Sequence, residues 1–115
     1  MVKVAFASMN GGGLEDVIAD RFGRAPVFTI VELDDRGNIV NVKVIENPGF
    51  KAASGAGVKS VQALVNEGVD VAVGPNFGPN AQVLLEEMNI KPVRIPAGTK
   101  IADALERVKK EILGL

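Results

Sequence analysis

The chain has 115 residues with a net charge of −1, 47% hydrophobic and 23% charged residues, and neither cysteine nor histidine. That size suits one domain over residues 1–115 that buries about two-thirds of the surface its unfolded chain exposes. The missing residue types exclude disulfides, a thiol nucleophile, a histidine general base, thiolate-held iron–sulfur clusters and imidazole ligation of a metal.

In chain order, VKVAFA (Val2–Ala7) is a nearly continuous apolar run and reads as a strand covered on both faces. It leads into SMNGGGLED, where three successive glycines mark a backbone that comes close to something. Glu15 and Asp16 in that loop fit the first turn of a helix, where acidic side chains meet the positive end of the helix dipole. VFTIVEL (Val27–Leu33) is a second strand, DDRG (Asp34–Gly37) a hairpin turn, and NIVNVKVIE a third strand pairing antiparallel with the second. Its alternation sets Ile39 and Asn41 against Val40, Val42 and Val44, so one buried and one wetter face are expected.

Farther on, Val58, Val61, Leu64 and Val65 lie at helical spacing, ended by Gly68. VDVAV (Val69–Val73) is a buried strand ended by GPNFGPN. Ala81, Leu84, Leu85 and Met88 make the next helical stripe, and Lys91–Ile95 a short strand. A last helix opens near Thr99 as its N-cap and buries Ile101, Leu105, Val108 and Ile112.

A right-handed crossover places strand four parallel to strand one, on the side away from strand two. The predicted fold is therefore α/β, a mixed five-stranded sheet of order 3-2-1-4-5 with strand two antiparallel. Strands one and four leave the sheet centre in opposite directions, so a crevice opens between the loops that follow them, SMNGGG and GPNFGPN. NPGFKAASGAG, after strand three, ends on the same side, so three glycine-rich loops are expected to converge there.

GGGLED does not match G-x-G-x-x-G, and no G-x-x-x-x-G-K-[ST] occurs. SGAG (Ser54–Gly57) precedes a helix, where free N–H groups and the dipole favour an anion. Ser8 has no histidine or assignable lysine as a base, and the central strands carry only Asp70, near a strand start. These residues read as a binding protein without catalytic residues. Arg21 and Arg24 flank the crevice in RFGRAP. Either they bind an anion by charge-assisted hydrogen bonds, or they are solvated and their stems cover Phe22.

RFGRAPVF, the hairpin after it, SGAG, VDVAVGPNFGPNA and the final helical segment together resemble the dinitrogenase iron–molybdenum cofactor-binding family, the NifX/NifY-like domain also found at the C-terminus of NifB. The resemblance covers essentially the whole chain. It implies a three-layer ribonuclease-H-like fold with helices on both faces of the sheet. It also implies a carrier of iron–molybdenum cofactor or its iron–sulfur precursor, with cofactor-assembly proteins as partners. Carried over by position, the cofactor-binding residues are Ser8, Asn10, Gly11, Gly12, Gly13, Arg21, Gly23, Arg24, Gly55, Gly57, Gly74, Asn76 and Gly78; no catalytic or metal-ligating residue is expected. The chain departs from the family at Arg21, where HFGRAP is common, and at Lys51–Ser54, where a further histidine is common. A bound cluster is then expected to be held as an anion by Arg21, Arg24, Lys51 and backbone N–H groups.

The alternative is an interaction or regulatory module of the same fold that binds no cluster, either monomeric or paired through the third strand as a homodimer. The charge gives no case for nucleic acid or an anionic membrane, and no apolar run approaches the ~20 residues of a membrane span. The N-terminus lacks a signal-peptide layout, so a cytoplasmic location is expected.

Overall fold

A computed structural model describes Met1–Leu115. The apolar run at the N-terminus forms β1 (Val2–Ser8), which lies at the centre of the sheet because helices cover it on both faces. β2 (Val27–Leu33) pairs with it antiparallel and β4 (Val71–Gly74) parallel. β3 (Ile39–Glu46) extends the sheet antiparallel beyond β2, and β5 (Lys91–Arg94) parallel beyond β4. The order is β3-β2-β1-β4-β5, as the sequence predicts, with β2 alone running against the rest.

Side-chain alternation along β1 divides the interior in two. Ala5 and Ala7 face α1 (Ala56–Asn66) and α2 (Pro79–Glu87), in a core that includes Val61, Leu64, Ala81 and Leu85. Val4 and Phe6 face α3 (Ile101–Val108), in a core with Ile101, Ala104, Leu105 and Val108. The small alanines on the first face leave room for three aromatic rings. Phe22 stacks at a tilt on Phe28 and Phe77, with ring centroids 5.3 and 4.9 Å apart. No helix is long and apolar enough to cross a membrane.

Four expectations change. No helix follows β1: residues 9–26 form a loop fixed by isolated bridges from Ile18 to Ser8 and from Val17 to Lys100. Thr99 does not cap α3, whose N-cap is Lys100 without a side-chain bond. Instead the Ile101 and Ala102 N–H groups donate to the carbonyls of Asp16 and Leu14 (2.9 and 3.1 Å), so the β1–β2 loop caps the helix. β4 begins at Val71, not Val69, because the Val69 N–H turns back to Leu64 O in the bend around Gly68 (φ 70°). β3 has no buried face. Val40, Val42 and Val44 are 50, 39 and 42% exposed, since no helix extends over this edge strand.

The β3–α1 connection is held by a buried polar knot. Asn47 Nδ2 donates to Ala25 O, and Asn47 Oδ1 accepts from Gly49 N, each at 2.9 Å. Ser60 Oγ, on α1, lies 2.9 Å from Asn47 Oδ1. Gly49 sits inside this knot, where a methyl group would come within 2.5 Å of Ser60 Oγ and 2.6 Å of Gly23 O. Its backbone is not left-handed, so the requirement is purely for space. Gly49→Ala is expected to cost about 2 kcal/mol in chemical denaturation. Gly78→Ala, whose added methyl meets nothing within 4 Å, should leave the midpoint in place.

Candidate functional site

The site follows from where Phe22 is anchored. Its ring is 1% exposed between Phe28 and Phe77, and Gly74 lets it in: a methyl there would lie 3.1 Å from Phe22 Cβ. With Phe22 fixed inward, Arg21 is left at the surface and Gly23 lies against the start of α1, where a methyl would come within 3.1 Å of Gly57 N. Gly57 packs in turn on Ala81 of α2, again at 3.1 Å for a methyl. The result is a hollow of about 270 Å³ at the heads of both helices, lined in part by Arg21, Gly23, Arg24, Gly57, Asn76 and Gly78. A neighbouring hollow of about 330 Å³ shares Arg21 and Arg24 and adds Met9, Asp20 and Pro26.

Six of the thirteen predicted positions thus line one place. The others do not. Ser8 is fully buried, its Oγ donating to Phe6 O at 2.9 Å and lying 2.8 Å from Thr29 Oγ1. Gly13 N donates to Thr29 Oγ1 at 3.0 Å, and Gly12 lies on Val44, where a methyl would come within 2.7 Å. Thr29 is paired with Phe6, which belongs to the α3 face, so Gly12 and Gly13 lie over the sheet on that side. Asn10 is bound to Asp16, Gly11 and Gly55 face open space, and Gly74 is filled by Phe22. Two glycine-rich segments and RFGRAP therefore meet at the hollow, while the triple-glycine loop turns away and only Met9 of it lines the neighbouring one.

The two arginines have different roles. Arg24 Nη1 donates to Ala52 O at 2.6 Å, with Gly49 O and Phe50 O at 3.3 and 3.4 Å, so it ties down the connection into α1. Arg21 has neither a hydrogen-bond nor an ion-pair partner. Around it, the N-caps of α1 and α2 are Gly55 and Gly78, so neither helix has a side-chain cap. Their first N–H groups and dipoles favour an anion at the hollow. Lys51, expected beside the arginines, instead lines a separate groove of about 550 Å³ with Glu46, Pro48 and Phe50. That groove is larger, but no helix N-terminus lines it and the carboxylate of Glu46 lines it along with Lys51, so the smaller hollow is the better anion site.

No group of three acidic, histidine or cysteine side chains gathers anywhere in the chain. The hollow offers charge and N–H donors, and its neighbour one thioether, Met9, but no strong ligand for iron.

Asp16, read from the sequence as an acid in a helix first turn, is instead the hub of the loop after β1. Its carboxylate, 7% exposed, accepts from Val17 N (2.7 Å), Gly12 N (2.8 Å), Asn10 N (3.0 Å) and Asn10 Nδ2 (2.9 Å). An aspartate a few residues after glycines that expose their N–H groups is a recognisable signal for such a loop. Burial by itself would push its pKa up, but the amides of Val17, Gly12 and Asn10 and the Asn10 carboxamide outweigh that and hold it below the usual carboxylate value.

Residues 1–111 match the sequence model of a family described as dinitrogenase iron–molybdenum cofactor. An uncharacterised protein of Methanocaldococcus jannaschii is 33% identical over 73 residues, 64% of this chain and 61% of the relative, so the match spans less than two-thirds of that relative's length. Among solved structures, the apo form of the orange protein from Desulfovibrio gigas superposes with a TM-score of 0.83 at 26% identity, covering 96% of this chain and 89% of its own. A NifB-like protein from Thermotoga superposes with a TM-score of 0.73 at 34% identity, covering 98% and 90%.

Because the folded pKa of Asp16 lies below its unfolded value, its contribution is complete above the unfolded value and is lost as pH falls through the folded one. Thermal melts are expected to show an acid limb below about pH 4 that flattens in Asp16→Ala. At neutral pH that variant should lose about 3 kcal/mol, because four donors lose their acceptor.

Proposed function

The chain belongs to the dinitrogenase iron–molybdenum cofactor family, and from that premise we propose that it is a small, non-catalytic carrier of an anionic metal cluster. The observation that carries this reading is Arg21, a cation without a protein partner at a hollow where two helices present uncapped N–H groups. The cargo in this reading is iron–molybdenum cofactor or its iron–sulfur precursor, received from and passed to cofactor-assembly proteins in the cytoplasm, with the chain acting as one domain of ribonuclease-H-like type.

Chemically, the cluster is held as a whole anion. Arg21 supplies a charge-assisted hydrogen bond, the heads of α1 and α2 supply N–H donors, and Met9 supplies a thioether at the margin. Arg24 acts indirectly, by fixing the Gly49–Ala52 segment next to the hollow. A second reading, an interaction module of this fold without cargo, is favoured by one specific observation: the chain has no thiolate or imidazole to bond iron.

Anaerobic titration with isolated iron–molybdenum cofactor, followed by gel filtration with visible absorption, separates the two. Absorbance co-eluting with the protein is expected; colourless protein with the cofactor eluting apart would favour the interaction module. Two variants locate the site. Arg21→Ala should weaken retention about 10–100-fold with an unchanged melting temperature. Gly78→Asp, whose added Cβ meets nothing within 4 Å, puts a carboxylate at the α2 N-cap, so it should keep or slightly raise stability while abolishing retention. Arg24→Ala should lower the melting temperature first.

A further inference from the structure

β3 is an eight-residue edge strand with nothing packed on its outer side, and it is exposed almost from end to end. Its free backbone groups can be assigned. Asn47 N donates to Pro26 O at 3.1 Å, which makes that opposed pair a hydrogen-bonded one. Alternation along the ladder then turns the N–H and C=O of Asn41, Lys43 and Ile45 toward β2, and those of Val42, Val44 and Glu46 outward. Val40 has no β2 partner, because the register shifts between Glu32 and Leu33 and leaves it in a bulge.

Edge strands are commonly guarded by an outward lysine or proline. Here β3 contains no proline, and its only lysine is drawn back onto α1, Lys43 Nζ lying 2.7 Å from Glu67 Oε1. The side chains of Val42 and Val44 lie opposite Val31 and Thr29, on the α3 side of the sheet but uncovered by it.

We propose that β3 pairs antiparallel with β3 of a second copy of this chain, about a two-fold axis through Val42, to make one continuous ten-stranded sheet. The strand's own sequence selects that occupant and register. Outward groups meet outward groups only if the axis passes through one of the residues from Val42 to Glu46, and an axis at Ile45 or Glu46 would overlap the two strands by three residues at most. An axis at Lys43 would set two lysines directly opposite each other, and one at Val44 would set Glu46 against Val42. The axis at Val42 faces Val42 with Val42, Val40 with Val44, Ile39 with Ile45 and Lys43 with Asn41, so apolar meets apolar and no like charges oppose. It also brings Glu46 opposite Asn38 of the second copy, one diagonal step from Arg36. None of these strand residues lines the Arg21 hollow, so the pairing stands or falls independently of cargo binding. A two-strand contact of this length buries less than the about 1,200 Å² of a firm interface, so the dimer is weak and concentration-dependent.

Sedimentation velocity over a series from micromolar to millimolar tests it, alongside amide exchange by NMR on the same samples. The wild type is expected to shift from monomer to dimer, with the Val42 and Val44 amides exchanging fast when dilute and slowly when concentrated. Lys43 and Ile45 amides should be slow throughout, since they bond to β2. Val42→Lys, which faces two charges across the axis, should raise the dimer Kd at least tenfold without moving the dilute-solution melting temperature. A monomer at millimolar concentration, a dimer whose Val42 and Val44 amides stay fast, or undiminished dimerisation of Val42→Lys would each overturn the pairing; the first would leave this edge to a strand from another protein.

Discussion

The close approach of three backbone segments at Gly23, Gly49 and Gly57 is the constraint on which the candidate site depends. Each glycine is there because a methyl would meet a neighbouring backbone or side chain at 3.1 Å or less. That contact lets RFGRAP lie on the head of α1 instead of standing off from it, and so sets Arg21 in the same hollow as Gly57 of that helix. The Asn47–Ser60 hydrogen bonds and the Arg24 clamp then lock the arrangement with polar groups that are all partnered. The glycines of this protein serve packing first, and the anion-friendly surface is what that packing leaves open.

A second knot, around Asp16, organises the other side. One carboxylate collects the N–H groups of the β1–β2 loop, and the loop's own carbonyls then cap α3. A side-chain cap is unnecessary there, since tertiary backbone bonds satisfy the helix end equally well. The same geometry sends Gly12 and Gly13 toward Thr29 and Val44. Loop and hollow are therefore divided by the sheet's top edge, with Met9 as the point of contact between them.

A chain without thiols or imidazoles can carry a metal cluster only by treating it as an anion. Charge-assisted hydrogen bonds and helix N-termini suit that task, because they recognise negative charge without displacing the ligands that a cluster already has. The exposed edge at β3 is a separate resource. Its valines are too far out for α3 to cover, and its lysine is engaged elsewhere, so the strand is left ready for pairing.

The sequence by itself determined the strands and their order, because hydrophobic periodicity and the right-handed crossover rule act locally and leave few topologies, while helices on both faces followed from the family resemblance. It also pointed to RFGRAP and to the helix-opening glycines as the place where an anion fits. Tertiary structure alone decided which loops meet there: the triple glycine turned away because Asp16 and Thr29 captured its N–H groups, and Lys51 was parted from Arg21. It likewise divided the two arginines into a tie and a free cation, and left Val42 and Val44 exposed despite their apolar pattern. Such outcomes depend on which donor finds which acceptor elsewhere along the chain, and on how far a helix reaches over a sheet edge. Local pattern carries neither kind of information.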